Sequence, residues 1–300
     1  MDPETGHATR LLSAEGYETN PEASPNGTRV VYQEWVTGSG STSQIYVLEA
    51  DGAHTREPWR PPPAPAISQI FVLEPDGSVR QLTDLKHGAQ DPTWSPDGRR
   101  IAFAGGSRRT GDIYVMNADG SHMHRLAGTP KRDVHPDWSP DGTRIAFNTT
   151  WCGRSQCKVH PKPGSREWAG IWAASFPGGS LSRLTNGRRG DGDHDAVWSP
   201  GGEWIAFVRD WPCEEPCFAN PPALWLMRPD GTGRHLLLEE GVDSMTWSPD
   251  GSSIASSAGT RAIRIVDVET ERVRSLRLSR LTLIRDLSWG TLGIVGSFEK

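Results

Sequence analysis

The chain has 300 residues, 32 of them basic and 37 acidic, for a net charge of −5. This balance excludes the basic footprint of a nucleic-acid binder, and no apolar run approaches the ~20 residues that a helix needs to cross a membrane. Length alone would place two domains in the chain, but its internal repetition replaces that reading with a single repeat architecture.

In chain order, Met1 to Gly6 shows no charged-then-apolar signal pattern. Ala8 to Ser13 reads as the last strand of a repeat unit whose earlier strands are missing at this end. Ser24-Pro25-Asn26-Gly27 is the first copy of a turn that returns as Trp94-Ser95-Pro96-Asp97-Gly98, Trp138-Ser139-Pro140-Asp141-Gly142, Trp198-Ser199-Pro200-Gly201-Gly202 and Trp247-Ser248-Pro249-Asp250-Gly251. A worn copy stands at Trp289-Gly290. Pro presets the second turn position, Asp tolerates the third, and Gly takes the left-handed position that closes a hairpin. Trp before the turn and Ile-Ala-Phe after it alternate as paired strands do. A second hairpin follows, clearest at Asp112–Gly120 with Arg125-Leu126 and again at Ile171–Gly179, Leu224–Gly231 and Ile263–Asp267. Each unit therefore has four strands, A to D, with the Trp on A.

Successive Trp positions lie 44, 60, 49 and 42 residues apart, the period of a propeller blade. Counting from Ser24 to Trp289 gives six blades, over residues 20–84, 91–128, 135–185, 194–238, 243–278 and 285–300 plus 8–13. The expected fold is an all-β, six-bladed β-propeller of four-stranded antiparallel blades, one domain over residues 1–300, with the ring closed by the N-terminal strand joining the C-terminal blade. That joint blade is one strand short. The phrase Ser43–Gly52 is nearly repeated by Ser68–Gly77. The second copy runs straight into the strand Val79–Thr83 and is assigned to blade one, which leaves the first copy as an insertion with the Pro-rich stretch Trp59–Pro65.

Trp-Ser-Pro-Asp-Gly-x-x-Ile-Ala-Phe followed by Ile-Tyr-Val-Met-Asn-Ala-Asp-Gly resembles the repeat of TolB-like propellers, over nearly the whole chain. The resemblance implies the fold. It also implies two kinds of function, because the same repeat serves envelope proteins with protein partners and some polysaccharide lyases with His ligands and a base at the channel mouth.

In a propeller the B–C and D–A connections share one face. The long B–C segments after Thr149 and Asp210 lie there, so that face is the expected binding face. The starts of the A strands bring Asn20, Asp91, His135, Ser244, Asp195 and Asp286 to it, each three residues before a Trp position, with His194, Asp243 and Arg285 one residue earlier. Oxygen ligands suit calcium, and His with Asp suits manganese or zinc. A divalent cation on Asp91, His135, His194, Asp195 and Asp286 is one expectation, and local capping of turns by the same Asp residues is the other. Asp191-Gly192-Asp193-His194-Asp195 resembles the start of a calcium loop but lacks its later Gly, and reads as an acidic loop.

Trp35, Trp151 and Trp211 follow strand B in three blades, outside the packing pattern of the other Trp residues. They either offer flat surface to a protein or a sugar ring, or roof their own blades. Cys152/Cys157 and Cys213/Cys217 are close enough for two local disulfides, with free thiols or a shared zinc site as the alternatives. Disulfides imply an exported protein, periplasmic or extracellular, whose signal peptide is absent from this chain; the alternative is cytoplasmic. No Gly-x-Ser-x-Gly elbow, phosphate loop or dinucleotide fingerprint is present. Two functions follow. The first is a monomeric, non-catalytic scaffold that binds a protein or glycan on its loop face. The second is a metal-dependent carbohydrate lyase or hydrolase with its site at the channel mouth.

Overall fold

The computed structural model is all-β. It describes residues 7–13, 17–36, 44–49, 67–106, 111–150, 170–186, 192–210, 222–239, 241–257, 262–277, 283–290 and 293–299. The chain divides into two compact units, residues 1–94 with 243–300, and residues 95–242.

The first unit opens with β1 (His7–Ser13), β2 (Tyr17–Ala23), β3 (Val30–Val36), β4 (Gln44–Glu49), β5 (Ile67–Leu73), β6 (Val79–Gln81) and β7 (Ala89–Trp94). The antiparallel sheet β2-β3-β5-β6 supplies strands A to D of one blade. As expected, its third strand is the second copy of the repeated phrase, paired with β3 from Val30↔Leu73 to Val36↔Ile67. Gln69 fixes the copy in place. Its Oε1 accepts the Thr83 hydroxyl at 2.7 Å and the Leu85 N–H at 3.1 Å, while Glu74 pairs with Arg29 and Arg80. Trp35 departs from expectation. It lies inside β3, opposite Tyr17 on one side and Ser68 on the other. The ladder to β5 carries the strand past the point where the sequence reads as loop.

The second unit holds β8 (Arg100–Gly106), β9 (Gly111–Asn117), β10 (His124–Ala127), β11 (Arg132–Trp138), β12 (Arg144–Thr150), β13 (Gly170–Ser175), β14 (Leu181–Arg183), β15 (Gly192–Trp198), β16 (Ile205–Asp210), β17 (Ala223–Met227) and β18 (His235–Leu238). β8, β9 and β10 run consecutively antiparallel, and β11-β12-β13-β14 and β15-β16-β17-β18 are complete blades. The A–B turns are braced as their residues dictate. The Ser139 carbonyl accepts the Gly142 N–H at 2.8 Å, and Ser139 Oγ donates to Asp141 Oδ1 at 2.6 Å and accepts the Arg144 N–H at 2.9 Å. These bonds hold the Asp141 carboxyl below the usual carboxylate range, through the Ser139 hydroxyl first and the Thr143 N–H next.

In the second unit the A-strand residues Trp138 and Trp198 pack onto the preceding blade. Trp138, Ile145 and Phe147 cluster with Ala102, Ile113 and Val115, and Trp198, Ile205 and Phe207 cluster with Ile171, Ala173 and Leu184. Burial of indole and phenyl surface supplies the main attraction between blades. Arg144 extends it by lying 4.7 Å from the centre of the Trp198 ring.

The first unit resumes with β19 (Ser244–Trp247), β20 (Ser253–Ser257), β21 (Ala262–Asp267), β22 (Val273–Arg277), β23 (Leu283–Gly290) and β24 (Gly293–Glu299). β19-β20-β21-β22 is another blade. The remaining sheet has the order β1-β4-β24-β23. Its outermost strand is the N-terminal one, as expected. The apparent shortage of one strand is corrected by β4, which is the first copy of the repeated phrase. The segment expected to be an insertion is thus an interior strand, paired with β24 on one side and β1 on the other.

The C–D turns at Gly179 and Gly231 approach the preceding blade closely enough to be tested. A Cβ on Gly231, at φ +81°, would lie 2.3 Å from the Leu184 carbonyl oxygen, whereas one on Gly77, at φ +83°, meets nothing within 4 Å. Both Ala substitutions carry the left-handed backbone cost of about 1 kcal/mol. Gly231→Ala should lose at least twice as much stability as Gly77→Ala in urea unfolding, because only it must displace backbone; equal losses would show that the turn is not pressed against Leu184.

Candidate functional site

The A strands carry an irregularity that positions the candidate residues. Val134 is paired with Asn148 and Asp137 with Ala146, so His135 and Pro136 stand opposite Phe147 alone. His194 is paired with Val208 and Val197 with Ala206, so Asp195 and Ala196 stand opposite Phe207 alone. The same two-against-one bulge sets Asn20 and Pro21 against Tyr32, and Asp286 and Leu287 against Gly296. His135, Asp195 and Asp91 take φ values of 50°, 51° and 52°. Left-handed backbone is uncommon for residues with a side chain, and Asn, Asp and His are the types that adopt it most readily. A bulge also turns its side chain away from the plain alternation of the strand. β19 pairs regularly from Ser244↔Ser257 to Trp247↔Ile254, so Ser244 is not placed this way. Asp243 is exposed at the start of that strand, its N–H on the Ser257 carbonyl.

In the second unit these bulges bring His135, His194 and Asp195 together. Asp195 Oδ1 contacts His135 Nδ1, and Asp195 Oδ2 lies 3.0 Å from His194 Nδ1. His194 Nε2 is 3.4 Å from Asp210 Oδ2. About a quarter of each imidazole remains exposed, 28% for His135 and 27% for His194. Burial works against a charged His194, but the Asp195 and Asp210 carboxylates outweigh it and raise the ring to about 10. Burial likewise opposes a charged Asp195, and His135 and His194 override it, holding the carboxyl well below the usual range. The arrangement is a carboxylate shared by two imidazoles, with a fixed positive ring at the surface.

Asp193, expected in an acidic loop, is instead in strand β15 and fully buried. It holds Arg209 by two bonds, at 2.7 and 3.1 Å, and Arg209 lies 4.6 Å from the centre of the Trp225 ring. The motif is therefore structural at that residue, because β15 begins at Gly192 and pairs Asp193 with Arg209.

Two further side chains, not foreseen from the sequence, join one blade to the A strand of the next. Asp137 Oδ2 accepts the Trp198 N–H at 2.6 Å, and Asn148 Oδ1 accepts the Asp195 N–H at 3.3 Å. The first unit repeats the device, with Glu22 on the Trp94 N–H and Gln33 on the Asp91 N–H, each at 3.1 Å. Burial pushes the Asp137 carboxyl up to about 7 against the opposing Trp198 N–H.

Among the described residues no group of three or more His, Cys, Asp or Glu side chains is arranged to hold a metal ion. Both Asp195 oxygens face imidazole nitrogens, which does not suit them as ligands. Asp91 is in the first unit. The side chains of Asn20, Trp35, Arg285 and Asp286, and all of Trp151, Trp211, Cys152, Cys157, Cys213 and Cys217, lie outside the described residues.

Two expectations test this geometry. Asn tolerates the left-handed backbone, so Asp195→Asn removes the shared charge with little strain. It should cost about 1–3 kcal/mol in chemical unfolding, between the values for surface and buried pairs; a neutral result would mean that the imidazoles do not depend on it. Asp137 is raised from its ordinary value, so its contribution to stability is present below pH 4 and lost as pH rises through about 7. Asp137→Asn should therefore melt progressively higher relative to the parent between pH 4 and 7, by roughly 2 °C or more at the upper end. A constant difference across that range would contradict the raised value.

Comparison with known proteins places the fold. Residues 65–291 match the family model of the TolB beta propeller domain. An uncharacterized protein of Agrobacterium fabrum is 30% identical over 190 residues, 59% of this chain and 55% of its own length. The crystal structure of TolB from Acinetobacter baumannii aligns with a TM-score of 0.62 at 18% identity, over 93% of this chain and 59% of that one. An oligogalacturonate lyase in complex with manganese aligns with a TM-score of 0.57 at 14% identity, over 93% of this chain and 71% of that one. The chain thus spans little more than half the length of the first two. At these identities the two structures establish an all-β propeller fold.

Proposed function

Because this chain belongs to the TolB β-propeller domain family, we propose that it is a non-catalytic scaffold that binds a protein or glycan partner on the face carrying the B–C connections. The reading takes the sheet β1-β4-β24-β23 as the sixth blade, closing the ring. One observation carries it. The partly exposed imidazoles of His135, on the bulge of β11, and His194, immediately before the bulge of β15, are fixed near the starts of those strands. That end is also where β12 and β16 leave for their long connections, since Arg132 is paired with Thr150 and Gly192 with Asp210. Rigid strands hold the polar groups, and the connections add contact area beside them. The lyase reading has less support, because the carboxylate that would serve a metal is already shared between two rings.

Photo-crosslinking separates the two ends of one blade. A benzophenone side chain at Asp210, on the B–C end, should trap the partner in native extract, and His194→Ala should reduce the yield several-fold in protein shown to be folded. The same probe at Asp230, in the C–D turn, should trap nothing specific. Crosslinks confined to Asp230 would move the binding face to the other end.

A further inference from the structure

The sheet β1-β4-β24-β23 is assembled from three stretches far apart in the chain. β23 and β24 form its hairpin, from Leu283↔Glu299 to Gly290↔Gly293. β4 adds to the edge of β24 only from Ile294↔Leu48 to Ser297↔Ile45. β1 in turn pairs with β4, from His7↔Glu49 to Ser13↔Gln44. β4 comes from between β3 and β5, which pair directly with each other along the whole of β3. Its departure therefore leaves the sheet β2-β3-β5-β6 complete. It would, however, strip β24 of its neighbour and β1 of the strand it pairs with, exposing a row of backbone donors and acceptors.

The sequence of β4 makes that edge selective. Ser43–Gly52 differs from Ser68–Gly77 only at Tyr46 against Phe71 and Ala50 against Pro75. Both phrases occupy the same place, third in a sheet beside a B strand. β5 is locked there by the bonds of Gln69 and Glu74 and by a ladder covering all of residues 30–36. β4 has the shorter ladder, on residues 294–297. It is tied to β5 by residues 50–66, a tether of up to roughly 55 Å when extended. We propose that the β24 edge is a strand-acceptor site for the phrase Ser-Gln-Ile-Tyr-Val-Leu-Glu, filled in cis by β4 and open in trans to β4 of a second copy of this chain. The occupant is specified by the site's own filling, and recognition is by main-chain pairing with alternate side chains selecting the sequence. The proposal rests on strand pairing and is independent of the binding role above.

The acceptor is tested by emptying it. Val36 and Ile67 are already paired, so residues 37–66 can be replaced by an Asn-Gly hairpin turn that keeps β3 against β5. A fluorescent peptide of residues 43–52 should bind this variant saturably and bind the intact chain at least roughly tenfold more weakly, since main-chain ladders are lost when the site is filled. The peptide with Val47→Pro, which removes a ladder N–H, should not bind. No binding to a variant that keeps its far-ultraviolet spectrum and cooperative melt would overturn the acceptor site, as would equal binding of the Pro peptide. If the variant does not fold, two differently tagged intact chains are refolded together at rising concentration. Mixed dimers that increase with concentration support exchange, and monomers at every concentration overturn it.

Discussion

Everything at the candidate site depends on one extra residue in the A strand. Placing two residues opposite a single buried aromatic, Phe147 or Phe207, forces His135 and Asp195 into left-handed backbone and turns their side chains out of the strand's alternation. A regular ladder would carry each onto one blade face, where the neighbouring blade would bury it. The bulge also frees a backbone N–H that must be satisfied. At Asp195 the Asn148 side chain takes it, and the N–H of Asp91, also left-handed, is taken by the Gln33 side chain. Site geometry and blade adhesion are thus parts of one arrangement, in which the bulge presents the side chain and the preceding blade holds its backbone.

The adhesion is unevenly distributed. Glu22 and Asp137 occupy the same place in their repeats, and each accepts the N–H of the next A-strand Trp. Ala104 and Val208, which stand where Gln33 and Asn148 stand in theirs, have no side-chain acceptor to offer. The cost of the device is visible at Asp137, a carboxyl held away from water for the sake of one N–H. Apolar packing of Trp138 and Trp198 serves every seam of the second unit, and the polar links add direction at selected ones.

Much of the fold was legible because its signals are local. Turn chemistry in Ser-Pro-Asp-Gly, period-two alternation in Ile-Ala-Phe and the Trp spacing each act within a few residues, and together they specify blades. What escaped was non-local. The ten residues around β4 and β5 are nearly the same, so nothing within either phrase says that one joins β3 and the other β24; chain topology decides. Trp35 was misplaced for a related reason, since the length of β3 is set by its partner. The candidate residues at the A-strand starts were identified by position, and the second unit brings three of them together, but the bulge that does so was not read. A signal existed: Pro21, Pro92 and Pro136 each follow a candidate residue, and Pro inside a strand marks an edge or a bulge. Asp195 carries no such mark, because Ala196 follows it. Asp137 and Asp210 gave no sign, their partners being distant in sequence.

The two ends of a blade differ in how much change they can accommodate. At the C–D end the turns containing Gly179 and Gly231 lie so near the Leu126 and Leu184 carbonyls that even one added carbon would collide at 2.3 Å. At the other end the chain leaves Thr150 and returns at Gly170, and leaves Asp210 and returns at Ala223. Growth in length is therefore channelled to one side of the molecule. An engineer grafting a foreign loop should place it between β12 and β13 or between β16 and β17, where the scaffold already carries segments of unequal length without altering the strands that bear them.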